Sequence, residues 1–384
     1  MKIVDVCAFY SPRGGGVRTY IEQKLRIGSQ LGHEIVVIVP GETRSITERG
    51  PGARIVTLPS PRFPLDRKYG YFADEPALHD ALSAEHPDVV EVSSPWRSPA
   101  MVARWRGSAR RSLVMHADPL SAYAYRWFAP VLSRPSIDRS FERYWEHLRY
   151  LGGAFDMTVC ANRDLARRLV EGGVAGVRVH PLGVETGVFS AAHRDSGLRA
   201  RLLNLCGLGA DALLLVAAGR LAPEKRWPMV INAVAAASLH RPVGLVLLGE
   251  GREKRAIRAA IGGNPHIRLF EPERDRTAFA AILASADAVV HGCEAETFCM
   301  VAAEARASGT FVIVPDAGGA ADHARGGAGL TYKAGNMFSL TNAIRTVGAG
   351  AVHRRNAGDV VSNVEHFERL FADYGHMVRR SQVA

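Results

Sequence analysis

Short runs dense in Val, Ile and Leu alternate along this chain with longer stretches in which apolar residues recur at helical spacing, and the alternation occurs twice. In the first half the apolar runs are KIVDVCAFY, HEIVVIVP, ARIVTLP, DVVEVS, SLVMHAD and MTVCA. In the second they are ALLLVAAG, VGLVLLGEG, HIRLFEP, AVVHGCE and FVIVPDAG. A turn or a helix-length segment separates each run from the next, the order that parallel strands with crossover helices produce. The runs are Val/Ile/Leu-dense and do not alternate with polar residues, as strands behave when helices cover both faces of their sheet. The pattern predicts an α/β protein of two Rossmann-like βαβ domains, with parallel sheets facing across a cleft.

Gly, Ser and charged residues interrupt the pattern between Val184 and Ala200, after Phe189. The expected division is therefore residues 1–190, residues 191–360 and a closing helix within 361–384. Phe367, Leu370, Phe371 and Tyr374 give that last segment its apolar face. Ile137, Phe141, Tyr144, Trp145 and Leu148 predict a further amphipathic helix packed on the first sheet. A second reading takes it, with Tyr123, Tyr125, Arg126, Trp127 and Phe128 just upstream, as an aromatic and basic surface for a lipid-linked acceptor or an anionic membrane.

A length of 384 residues with 47% hydrophobic and 22% charged residues exceeds one comfortable core and favours two domains over disorder. Cys7, Cys160, Cys206, Cys293 and Cys299 are scattered and odd in number, which reads as reduced thiols that pack in apolar runs. Asp5 breaks the first apolar run and no later run is long enough to cross a bilayer. The expectation is a cytoplasmic protein, soluble or peripheral on the inner face of the membrane. The net charge of +10 favours anionic partners. Zinc-finger spacing, RNP-like aromatics and long Lys/Arg blocks are missing, so nucleic acid is not expected.

The candidate chemistry concentrates between Val289 and Gly319, where Glu296 and Glu304 straddle the start of a predicted helix between two buried strands. In an open α/β sheet a strand's carboxyl end and the next helix's N-terminus meet in the binding crevice, where unpaired amides favour an anion. A carboxylate on each side of that anion suits a ligand carrying phosphates and hydroxyls. A glycosidase-like acid and base pair is the competing reading. Eight residues along a helix rise about 12 Å, longer than either separation such pairs use. Upstream, Gly14, Gly15 and Gly16 follow the first strand, and Arg220 and Lys225 lie at a strand end and in the first helical turn behind Pro223. A lysine in a first turn opposes the helix dipole unless an anion is present.

The segment from Val289 to Gly319 resembles the carboxylate motif of the retaining glycosyltransferases of the GT-B fold, group 1 (family 4). Ala217-Ala-Gly-Arg-Leu-Ala-Pro-Glu-Lys-Arg226 resembles that family's GRL-x-x-EKG segment, and the glycines 14–16 its N-terminal glycine loop. His180-Pro-Leu-Gly-Val-Glu-Thr-Gly-Val-Phe189 resembles its entry to the interdomain linker. The resemblance implies an acceptor-binding first domain, a nucleotide-sugar-binding second domain and a last helix that crosses back to the first. It also implies that Gly219, Arg220 and Lys225 meet the donor diphosphate, that Glu296 with Thr297, Phe298, Cys299 and Met300 meets the sugar, and that Glu304 meets the ribose. His116, in Val114-Met-His-Ala-Asp118, matches the histidine near the transferred sugar, and Gly15 and Gly16 the loop amides. The chain departs from the family in placing Arg226 and Cys299 where glycine is usual, and Asp322 where a Glu often stands.

A D-x-D signature, which holds a metal and a diphosphate in the other major glycosyltransferase fold, does not occur in this sequence. Cationic side chains and helix amides would then neutralise the leaving group, so transfer is expected to need neither metal nor cofactor. The resemblance implies retention with front-face attack. The expected activity is hexose transfer from a UDP-, GDP- or ADP-sugar to a lipid-linked or cell-surface glycan acceptor. The alternatives are a nucleotide-sugar 2-epimerase of the same architecture and a catalytically silent partner subunit.

Overall fold

The computed structural model describes residues 1–10, 16–63, 69–128, 131–348 and 360–383, so Gly14 and Gly15 lie outside the described residues. The chain forms two compact units. The first comprises Met1–Pro119, Trp127–Leu182 and Asn363–Ala384, the second Leu120–Arg126 and Gly183–Ser362.

The first unit holds β1 (Lys2–Val6), β2 (Glu34–Gly41), β3 (Ser45–Gly50), β4 (Ala53–Pro59), β5 (Val89–Ser93), β6 (Arg110–Met115), β7 (Met157–Cys160) and β8 (Val177–Val179). They form one sheet in the order β3-β4-β2-β1-β5-β6-β7-β8. The pairs are parallel except β3 with β4, which corrects the expectation of a wholly parallel sheet. SITERG is exposed at every position, and this edge hairpin therefore carries no apolar run to announce it.

In β1 and β5, Asp5 lies directly beside Glu91. Lys24, on the helix Gly16–Gln30, reaches both, at 2.8 Å from Asp5 Oδ2 and 2.5 Å from Glu91 Oε1, with all three side chains fully buried. The Tyr374 hydroxyl donates to Glu91 at 2.7 Å and thereby keys the last helix, Asn363–Val383, into the same cluster. Phe367, Leu370, Phe371 and Tyr374 are buried in the first unit's core beside Ile21, Leu25 and Ile35. The predicted aromatic helix is two helices, Arg134–Ser140 and Glu142–Ala154, broken at Phe141 (φ −106°, ψ 26°). Ile137, Trp145 and Leu148 are buried and the second helix packs on β6, as the packing reading expects.

The second unit holds β9 (Leu213–Ala218), β10 (Val243–Leu248), β11 (Ile267–Phe270), β12 (Ala288–Val290), β13 (Phe311–Pro315) and β14 (Gly329–Tyr332). All pairs are parallel, in the order β11-β10-β9-β12-β13-β14. The chain winds outward from β9 through β10 to β11, then returns to β12 on the other side of β9. The order thus reverses between β9 and β12, and a crevice opens beyond their carboxyl ends at such a reversal. Among the described residues no helix is long and apolar enough to cross a membrane.

Candidate functional site

The two segments that leave β9 and β12 carry the charged side chains of the second unit's crevice. After β9 the chain passes Gly219 (φ 150°), then Pro223 opens a single 3₁₀ turn, Pro223–Lys225, before the helix Trp227–Ala237 begins. Lys225 therefore lies in the helical turn behind Pro223, as expected, although that turn is 3₁₀ and precedes the α-helix. After β12 the segment from His291 to Cys299 is irregular, and the helix starts only at Met300. Glu296 is in this loop and Glu304 on the helix, so the rise of about 12 Å for eight helical residues does not describe their separation.

Lys225 Nζ is bonded to Glu296 Oε1, and His291 Nε2 lies 3.2 Å from the same oxygen. Burial opposes ionisation of Glu296, but the Lys225 ammonium and the His291 hydrogen bond overcome it and hold the carboxyl well below its usual range. Burial likewise opposes the Lys225 charge, and Glu296 reverses that and raises it. The two directions agree on an ionised pair at neutral pH. Burial lowers His291, whose ring is 1% exposed and stands edge-on to Trp227, so a neutral imidazole lies beside the carboxylate.

The ligand atoms of His291, Glu296 and Cys299 lie within 4.8 Å of one another, and the Lys225 ammonium already supplies this group with a cation. Burial pushes the Cys293 thiol up to about 12 and raises Cys299 as well, consistent with packing residues.

The loop is held from three sides. Gly319 N donates to Glu296 O at 2.6 Å, and a Cβ on Gly319 would sit 2.6 Å from the Thr297 carbonyl, so the Gly318-Gly319 pair after β13 packs directly on the loop. His323 Nε2 donates to Phe298 O at 2.7 Å. Arg226 donates to Glu294, with Nε 2.8 Å from Oε2. Arg226 and Cys299 both adopt left-handed backbone, at φ 50° and 74°. Asp322 pairs with Arg325 at 3.1 Å.

Glu304 is only 6% exposed and pairs with Arg276 at 2.9 Å, the guanidinium standing 4.6 Å from the Phe189 ring centre. Burial pushes Glu304 up to about 7 despite Arg276. Phe298 and Cys299 are buried, and Thr297 and Met300 half-buried. Arg220, by contrast, is 79% exposed and pairs with Glu224 at 3.2 Å. In the first unit His116 follows β6, edge-on to Tyr20 at 4.8 Å, with Nε2 enclosed and its pKa lowered to about 4 by burial. Gly16 opens its helix, and a methyl group there would meet no atom within 4 Å.

Sequence reasoning did not single out His291 or Glu294, although His291 carried a signal, a strand-end histidine five residues before Glu296 in AVVHGCE. It read the loop from Glu271 to Arg276 as facing the nucleotide base and assigned Arg276 no pairing.

Residues 207–359 match the family described as Glycosyl transferases group 1, and residues 14–188 the one described as Glycosyltransferase Family 4. The chain belongs to the group 1 glycosyltransferases. This glycosyltransferase is 28% identical over 333 residues to a GDP-mannose-dependent alpha-mannosyltransferase of Mycobacterium tuberculosis, covering 84% of this chain and 81% of that one. It is 29% identical over 321 residues to a GDP-mannose-dependent alpha-(1-6)-phosphatidylinositol dimannoside mannosyltransferase of the same species, covering 82% and 79%. Sucrose-phosphate synthase of Thermosynechococcus elongatus superposes with a TM-score of 0.72 at 19% identity, over 100% of this chain and 99% of that one. That likeness identifies the glycosyltransferase as GT-B in fold.

Proposed function

We propose that this glycosyltransferase moves a hexose from a nucleotide-diphosphate sugar to a lipid-linked or cell-surface glycan acceptor, with retention and without a metal. The observation that carries the reading is the ionised Glu296, fixed by Lys225 and His291 in the crevice where the second sheet's strand order reverses. A rigid, ionised carboxylate accepts hydrogen bonds from sugar hydroxyls, and the neighbouring ammonium meets the departing phosphate. Such preorganised charge favours the transition state because no reorganisation is needed when the bond breaks. Arg220, exposed at the end of β9, supplies a second cation to the diphosphate; Gly219, Thr297, Phe298, Cys299 and Met300 line the donor, and Glu304 accepts from the ribose. In the first unit, His116 is assigned the role of positioning the transferred sugar. The leaving diphosphate takes the bonding electrons, an oxocarbenium-like sugar forms, and the acceptor hydroxyl attacks from the same face, its proton passing to the leaving oxygen.

The relatives named for GDP-mannose make GDP-mannose the first donor to test, with UDP- and ADP-sugars as controls. Trp127, Phe128, Val131 and Leu132 are exposed, and Arg134, Arg139 and Arg143 follow them, also exposed; this first-unit surface suits a peripheral contact with anionic lipid.

The test is incubation with labelled GDP-mannose and anionic lipid vesicles carrying glycolipid acceptors, with and without EDTA. Free GDP and an α-linked mannolipid are expected, unaffected by EDTA, with kcat reduced about 10²–10³-fold in Lys225→Ala and Glu296→Gln. A changed sugar still attached to GDP would identify an epimerase. No turnover of any donor, with no thermal stabilisation by GDP, UDP or ADP, would leave a silent subunit. Vesicle binding unaltered in Trp127→Ser with Leu132→Ser would remove the membrane contact.

A further inference from the structure

Arg276 heads the helix Arg276–Ser285, whose N-cap Asp275 accepts from the amides of Thr277 and Ala278. Its guanidinium stands over the Phe189 ring, 2.9 Å from Glu304 Oε1 and 3.6 Å from Glu185 Oε2. This flat cation is thus held by an aromatic face and two carboxylates, and one of those carboxylates lies almost wholly inside the second unit. We propose that Arg276 is a positioning residue of the donor site, which keeps Glu304 ionised and oriented so that it can accept hydrogen bonds from the ribose hydroxyls of a nucleoside diphosphate. The proposal rests on the reading of Glu304 as the ribose carboxylate.

The surroundings of Glu304 leave this task to Arg276. The helix Met300–Ala307 packs against the helix Arg276–Ser285, where Arg276 is the one titratable residue, and against β13, FVIVP, which has none. Glu185 is the other charge that faces Glu304, and it disfavours ionisation. Arg306 is two residues along the same helix, and residues so spaced do not share a face. Burial pushes Glu304 up while Arg276, by charge and by hydrogen bond, pulls it down to about 7. Without Arg276 nothing on the facing elements opposes burial, and the carboxyl is held protonated at neutral pH. A protonated carboxyl loses an acceptor position and gains a donor that two ribose hydroxyls do not need.

The test is titration calorimetry of GDP, UDP and ADP on the full chain from pH 6 to 9, using whichever binds the wild type most tightly. Wild-type affinity is expected to rise through pH 7 and level off. Arg276→Ala should bind about tenfold more weakly at pH 7 and recover as the pH rises to 9, because its Glu304 ionises later. Arg276→Lys, which keeps a cation, should restore most of the loss. Glu304→Gln should bind weakly at every pH, and adding Arg276→Ala to it should cause no further loss. An Arg276→Ala profile parallel to wild type, weaker by the same factor at every pH, would overturn the proposal and leave Arg276 a structural residue. Unchanged affinity in Glu304→Gln would instead overturn the ribose reading on which it rests, as would failure of all three nucleotides to bind the wild type.

Discussion

Arg226 and Cys299 hold left-handed backbone at two positions where the family resemblance leads one to expect glycine. For an L-residue that conformation costs about 1–2 kcal/mol, since Cβ crowds the neighbouring carbonyl. Arg226 offsets the strain through its two-pronged contact with Glu294. Cys299 makes no side-chain cap to the helix it precedes, so only its buried packing compensates. Cys299→Gly is therefore expected to unfold within about 1 kcal/mol of wild type, relief of strain offsetting the lost contacts. Cys299→Val should lose about 2 kcal/mol or more, because a β-branched side chain is poorly tolerated at positive φ. Denaturant titrations of the two variants decide the matter, and equal losses would show that the backbone there is not strained.

The last helix is held by more than its apolar face. His366 Nδ1 donates to Pro181 O at 2.8 Å and the Tyr20 hydroxyl lies 3.4 Å from Nε2, while His180 pairs with Asp373 at 3.0 Å. Burial lowers His366 to about 3. A histidine depressed in the folded state binds its proton mainly on unfolding, so its stabilisation is complete above its ordinary pKa, about 6.5, and is lost as the pH falls toward 3. The wild type should accordingly lose stability between pH 6.5 and 4.5, and His366→Gln, although weaker at pH 7.5, should show a shallower fall. A slope identical in the two proteins would assign the acid sensitivity to other groups, His116 and His323 first, since burial lowers each to about 4.

At the scale of the molecule, the doubly wound architecture was legible because most strands buried on both faces wrote themselves as runs dense in Val, Ile and Leu, even where Asp5 and Glu91 interrupt them. β3, β8 and β14 escaped, since SITERG and VRV are largely open to solvent and GLTY is only four residues long. The position of Glu296 and Lys225 was legible too, as both immediately follow such runs. Their pairing was not, because the strand order that makes β9 and β12 neighbours is a property of the winding, and 71 residues separate the partners. The same holds for Arg276 and Glu304, which are brought together by packing between two helices and not by spacing along one.

Asp5, Lys24 and Glu91 carry a consequence for how this sequence can change over time. Removing any one of three buried charges strands the others and costs about 3–5 kcal/mol, whereas replacing them together with well-packed apolar residues is often neutral or better. Each single substitution thus leads downhill from a stable protein, although the far side of the valley is no lower than the near one. The three positions are expected to change as a block, so that a descendant that has lost the lysine has lost both carboxylates as well.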